Sequence, residues 1–168
     1  MTDPVLGRLF EHNNWANQMI LDLCAGLTDA QLDAQPRSVT KGSIRKTLSH
    51  LVDAQQWYLQ LLTGFEPPSR WDDDDPPPLE KLRASLTLSG ARFLELARDE
   101  VGKMPTTRRR LDDGWEVEPW VLVVQVLNHG TEHREQICSM LTDLGVKLPE
   151  LDGWAYAEVI KAMAPAPT

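Results

Sequence analysis

An all-α fold, a four-helix bundle with a short extra C-terminal helix, is what this sequence predicts. Four long stretches repeat apolar residues at helical spacing, helix stop signals close each stretch, and an extended excursion is signalled only at 105–118. Four amphipathic stripes bury one another most simply as a bundle. The 168 residues suit one domain spanning 1–168, whose interior folds without disulfide or metal staples.

Asp3 followed by Pro4 predicts the first helix start, since Asp caps free amides and Pro fits the opening turn. At 100° per residue, Val5, Leu6, Leu9, Ala16, Ile20, Leu23, Cys24 and Leu27 share one face, giving a helix over 4–25 with Asn13 and Asn17 on the same side. A polar segment then leads to a second helix from about Ser43 to Leu62, ended by Gly64 and the Pro67-Pro68 pair. The connector EPPSRWDDDDPPP reads as solvated, because it lacks the alternating acids and central Gly of an EF-hand loop. Leu79, Leu82, Leu86, Phe93, Leu96 and Ala97 predict a third helix from Leu79 to Val101. Asp113-Gly114 marks a turn within 105–118, consistent with a short hairpin. Pro119 opens a fourth helix running to Leu144 with Gly145 as its stop, and a short helix from Asp152 to Met163 precedes a Pro-Ala tail.

Composition narrows the function classes. The chain is 42% hydrophobic and 25% charged, ordinary values for a globular protein. Its longest apolar run, Trp120 to Val124, falls far short of the ~20 residues that cross a bilayer. No membrane association is expected. The N-terminus shows no cationic stretch before an apolar core, so a cytoplasmic location is expected. A net charge of −8 opposes a phosphate backbone, and the one basic cluster, Arg108 to Arg110, is followed by Asp112 and Asp113; no nucleic-acid partner is expected. Cys24 and Cys138 sit among apolar residues, which fits two buried hydrophobes better than a disulfide framework.

Chemistry concentrates in the histidines. His129 and His133 are four apart on the fourth helix, so their side chains project about 40° apart and roughly 6 Å along the axis. They share a face with Leu122, Val126, Ile137, Met140 and Leu144, whereas Asn128, Thr131, Glu132 and Glu135 point elsewhere. His50 shares its face of the second helix with Ser43, Thr47, Ala54, Tyr58 and Leu61. A lone core histidine is ordinarily satisfied by a hydrogen bond. Burying three neutral imidazoles is expensive, whereas one metal ion satisfies a nitrogen on each, so His50, His129 and His133 are the candidate ligands. Imidazole ligation suits zinc, nickel, copper or iron, with zinc or nickel foremost, and three protein ligands leave positions open for water or substrate.

Other polar groups surround this set. Glu132 lies about 60° off the ligand face, poorly placed as the base of an HExxH-type site. Asp53 and Glu132 are candidates to orient ligand imidazoles, with simple solvation as the alternative. Asn13, Asn17 and Tyr58 are candidates to hydrogen-bond a bound small-molecule substrate, with a structural role the alternative for the asparagines. His12, near the edge of its helix face, reads as a fourth ligand, a substrate contact or, preferentially, an exposed residue.

The segments LSHLVDAQQWYL around His50, LNHGTEHREQICSML around His129 and His133, and LFEHNNWANQMIL near the start resemble the DinB-like family over nearly the whole chain. The resemblance implies a four-helix bundle in which one His of the second helix and an HxxxH of the fourth bind a divalent metal; His50, His129 and His133 occupy those positions. It also implies a homodimer, and relatives that are thiol-dependent transferases and isomerases using low-molecular-weight thiols. The sequence departs from the frequent NHxxHHRGQ form at Glu132 and Glu135, neither of which is a carried-over ligand.

Two functions follow as expectations. One is a metal-dependent enzyme, transferase-like or hydrolase-like, in which the ion activates a water or thiol nucleophile. The other is a non-catalytic, stress-related metal or small-ligand binding protein. A third, metal-free reading makes the histidines a core polar network.

Overall fold

The computed structural model describes residues 4–37, 41–68, 71–72, 75–164 and 166. Helix α1 spans Pro4–Ala25, α2 Asp29–Leu32, α3 Ile44–Thr63, α4 Leu79–Ala97, α5 Pro119–Asp143 and α6 Gly153–Val159. Strands β1 (Arg109–Arg110) and β2 (Glu116–Val117) pair antiparallel, with Arg109 opposite Val117. Helix α1 packs on α4 and α5, and α3 packs on the same two, so the long helices form a ring in the order α1, α4, α3, α5. This is the expected all-α bundle.

Local chemistry sets most of the ends. Ser43 caps α3 by accepting from the Lys46 amide, and Gly64 closes it in the left-handed conformation (φ 75°). Pro119 occupies the first turn of α5, and Gly145 (φ 77°) follows its end. The turn at Asp113-Gly114 is present, with Gly114 at φ 92° donating its amide to the Leu111 carbonyl. Asp3, expected to cap α1, lies outside the described residues.

Several boundaries differ from the sequence reading. Helix α4 stops at Ala97 rather than Val101, because Asp99 turns left-handed (φ 58°) and the Glu100 amide reaches back to the Glu95 carbonyl. Helix α6 ends at Val159 rather than Met163, where Lys161 (φ 57°) makes the same kind of stop. The additional short helix α2 is held by a capping box, in which Thr28 accepts from the Gln31 amide and Gln31 accepts from the Thr28 amide.

The core divides into two apolar halves. One gathers Ile20, Leu21, Leu48, Leu82, Ile137 and Leu141, and the other Phe10, Leu59, Leu62, Phe93, Leu122 and Val126. Phe10 and Phe93 stack with ring centroids 5.0 Å apart. Between the halves each long helix contributes buried polar side chains: Asn13 and Asn17 from α1, Gln55 from α3, Ser89 from α4, and His133 and Arg134 from α5. Arg134 Nη1 donates to Asn13 Oδ1 and Asn17 Oδ1, each at 2.8 Å. Asn17 Nδ2 passes the chain to Gln55 Oε1 (3.4 Å), and Gln55 Nε2 donates to Ser89 Oγ (2.7 Å). A hydrogen-bonded belt therefore links all four helices at mid-height.

The C-terminal segment folds back on α1. His12, expected to be exposed, is half-buried and its Nε2 donates to the Leu151 carbonyl at 2.8 Å. Trp15 packs on His12 and on Tyr156 of α6 and is half-buried.

Candidate metal centre

The three predicted ligands meet. His50 of α3 and His129 and His133 of α5 lie on facing helices, with ring centroids 5.0 Å (His50 to His129), 4.9 Å (His50 to His133) and 4.2 Å (His129 to His133) apart. One ligand nitrogen from each falls within 4.8 Å of the others. Two zinc–imidazole bonds of about 2.1 Å at a tetrahedral angle hold their nitrogens about 3.4 Å apart, so side-chain rotations that draw the three nitrogens together close the set.

The nitrogens are chemically ready for a cation. Nε2 of His129 and Nε2 of His133 are both buried without a hydrogen-bond partner, a costly state for a polar atom unless an ion satisfies it. His133, 1% exposed, donates from Nδ1 to Gln136 Oε1 at 2.8 Å. That bond fixes the tautomer and leaves the Nε2 lone pair available. Burial, reinforced by the charges of His133, His50 and Lys41, pushes the His129 imidazole down to about 4. It is therefore neutral near pH 7, the form that ligates. The residues present fit a divalent ion with imidazole preference.

A cavity of about 400 Å³ opens beside the centre, bordered by His50 and His129 and walled in part by Asp53, Gln56, Tyr58 and Trp71. Tyr58, a predicted ligand contact, stands edge-on to His129 with centroids 5.9 Å apart, and burial raises its phenol pKa. Asp53 borders the same space, whereas Glu132 is exposed and does not border it, although its charge adds to the rise of the Tyr58 phenol. Asn13 and Asn17, expected as substrate donors, do not border it. Their side-chain oxygens accept from Arg134 instead, because a buried guanidinium without a carboxylate needs neutral oxygens around it.

Gln136, Gln56 and Trp71, none of them a predicted site residue, also stand at the centre or its cavity. Gln136 follows His133 by three residues, the spacing that places an amide against a ligand ring. Gln56 Oε1 and Trp71 Nε1 are buried without partners, an acceptor and a donor at the cavity wall. Both cysteines are free and buried, and burial pushes the Cys24 thiol up to about 12 and the Cys138 thiol to about 11, so neither supplies a thiolate. Among the described residues, no helix is long and apolar enough to cross a membrane.

No curated protein matches the chain. In the solved structures, a DinB-like protein from Bacillus cereus ATCC 10987 superposes with a TM-score of 0.63 at 16% identity, over 84% of this chain and 94% of that one. At that identity the likeness speaks for the fold. The family model described as DinB matches residues 1–163, almost the entire sequence and all three histidines, and the chain accordingly belongs to the DinB family.

Proposed function

We propose that this protein binds one divalent metal ion, zinc or nickel, through His50, His129 and His133, and uses it to activate a nucleophile against a small-molecule substrate. The observation that carries the reading is the pair of buried, partnerless Nε2 atoms of His129 and His133 beside His50. When bound, such an ion acts as a Lewis acid and makes an anionic nucleophile, hydroxide or thiolate, accessible near neutral pH. The chain's own cysteines are buried, so in the transferase-like version the thiol is a low-molecular-weight one that enters from solvent. Gln136 holds the His133 ring, and Tyr58 and Asp53 border the space a substrate would fill. That about 400 Å³ space in contact with two of the ligands favours a reactive centre over a closed, structural one.

The test is His133→Ala, read by elemental analysis, calorimetric metal titration and circular dichroism. The wild type is expected to hold one ion per chain. The variant should lose metal affinity by about 10²-fold or more, since one of three ligands is gone. Its helical signal should persist, because the two apolar halves do not depend on the ion. Unchanged metal content removes His133 from the centre, and complete unfolding makes the ion structural. Turnover of electrophilic substrates that requires an added thiol separates the transferase-like version from hydrolysis; no turnover with either nucleophile leaves a non-catalytic binding protein.

A further inference from the structure

Arg109, from the basic run Arg108 to Arg110 that the metal centre leaves unexplained, borders a second cavity. This hollow of about 450 Å³ sits against the last turns of α3 and α4 and the loop entering β1. It shares no residue with the histidine cavity. Its apolar wall includes Phe65, Leu96 and Val101, and its charged groups are Arg92, Lys103 and Arg109. No acidic residue borders it, although the chain carries 25 acids against 17 lysines and arginines. A wall that carries cations and no acid, in an acidic protein, makes a local attractor for anions.

The cations differ in how they are held. Arg92 pairs with Glu95 at 2.7 Å, whereas Lys103 and Arg109 have no acidic partner among the described residues. Arg109 is anchored by the pairing of β1 and by donation from Nη2 to the Leu62 carbonyl at 3.0 Å. Its Nε is buried without a partner, and a cationic N–H in that state calls for an acceptor. The carboxyl end of α3 would by itself repel an anion. The Arg109 bond to Leu62 offsets that partial charge, and Lys103 adds a further positive one.

We infer that this cavity binds an organic anion, a carboxylate or phosphate head carried on an apolar body. Lys103 and Arg109 receive the head, and the body lies along Phe65, Leu96 and Val101.

Calorimetric titration of the full chain with decanoate, decanol, decyl phosphate and acetate tests this. Decanoate or decyl phosphate should bind, and the tighter of the two identifies the head group. Decanol, which lacks the charge, should bind about tenfold or more weakly, and acetate, which lacks the body, should show no measurable heat. Lys103→Glu reverses an exposed charge and leaves the fold and metal content intact; it should weaken the preferred anion about tenfold or more. His133→Ala should bind that anion as the wild type does, which keeps the inference separate from the metal reading. Equal affinity for decanol and both anions, unchanged affinity in Lys103→Glu, or lost affinity in His133→Ala would overturn it.

Discussion

Arg134 shows how a single buried residue decides what its neighbours are free to do. Burial lowers its pKa to about 10, yet it remains charged near neutrality because Asn13 and Asn17 each offer an oxygen at 2.8 Å and Thr131 offers Oγ1 at 3.1 Å. Asn17→Leu should therefore destabilise the fold by about 1–3 kcal/mol, since it strips one acceptor from a buried cation and leaves Gln55 Oε1 without its donor. A urea midpoint measures the loss. Metal content should stay at the wild-type level, because Asn17 does not border the histidine cavity; a fall in metal content with unchanged stability would return Asn17 to the substrate side. The three histidines were legible in the sequence because a four-residue spacing fixes two rings on one helix face. The asparagines' role was not legible. Their partner Arg134 lies 121 and 117 residues away, and apolar periodicity does not register a charge that enters the core.

Between elements, the contact of α1 with α4 depends on close approach at Gly90. A Cβ there would lie 2.5 Å from Asn14 Oδ1, while Asn14 Nδ2 donates to the Gly90 carbonyl at 2.9 Å. Alanine raises helix propensity by about 1 kcal/mol. Overpacking costs about 1–3 kcal/mol, and the displaced hydrogen bond about 1 kcal/mol more. Gly90→Ala should thus lower stability by a net of about 1–3 kcal/mol, checked by thermal unfolding; a higher melting temperature would mean that Asn14 swings aside freely. The long helices were predictable to within a few residues because each carries an amphipathic stripe and a Pro, Ser or Gly at its ends. Two ends ran short of the reading because Asp99 and Lys161 adopt the left-handed conformation, which glycine advertises in a sequence and these residues do not. Helix α2 had a readable signal, Thr28 with Gln31 three residues on.

Over the whole molecule, the face shared by α1 and α5 keeps an apolar surface after the bundle closes. Val5, Leu9, Trp120 and Val124 are exposed around a groove of about 600 Å³ formed by α1, α5 and the segment near Pro105. The chain is expected to form a homodimer through this face, and Trp120→Glu should return it to monomer in light scattering; a wild type that stays monomeric at high concentration would refute the expectation. Metal removal should lower the melting temperature in proportion to the affinity lost, since an ion held by the folded chain alone stabilises it by linkage. The separation of the three histidines also bears on how the protein is made. His50 is in place on α3 long before α5, with His129 and His133, is synthesised. The clasp between His12 and Leu151 spans 139 residues and closes only after α5 has been made. A nascent chain on the ribosome accordingly exposes a lone imidazole that has little hold on a metal ion, and the complete ligand set arises only after α5 has emerged and packed. On the proposed metal reading, capture of the ion waits for α5, and a polypeptide interrupted before α5 carries one of the three ligands.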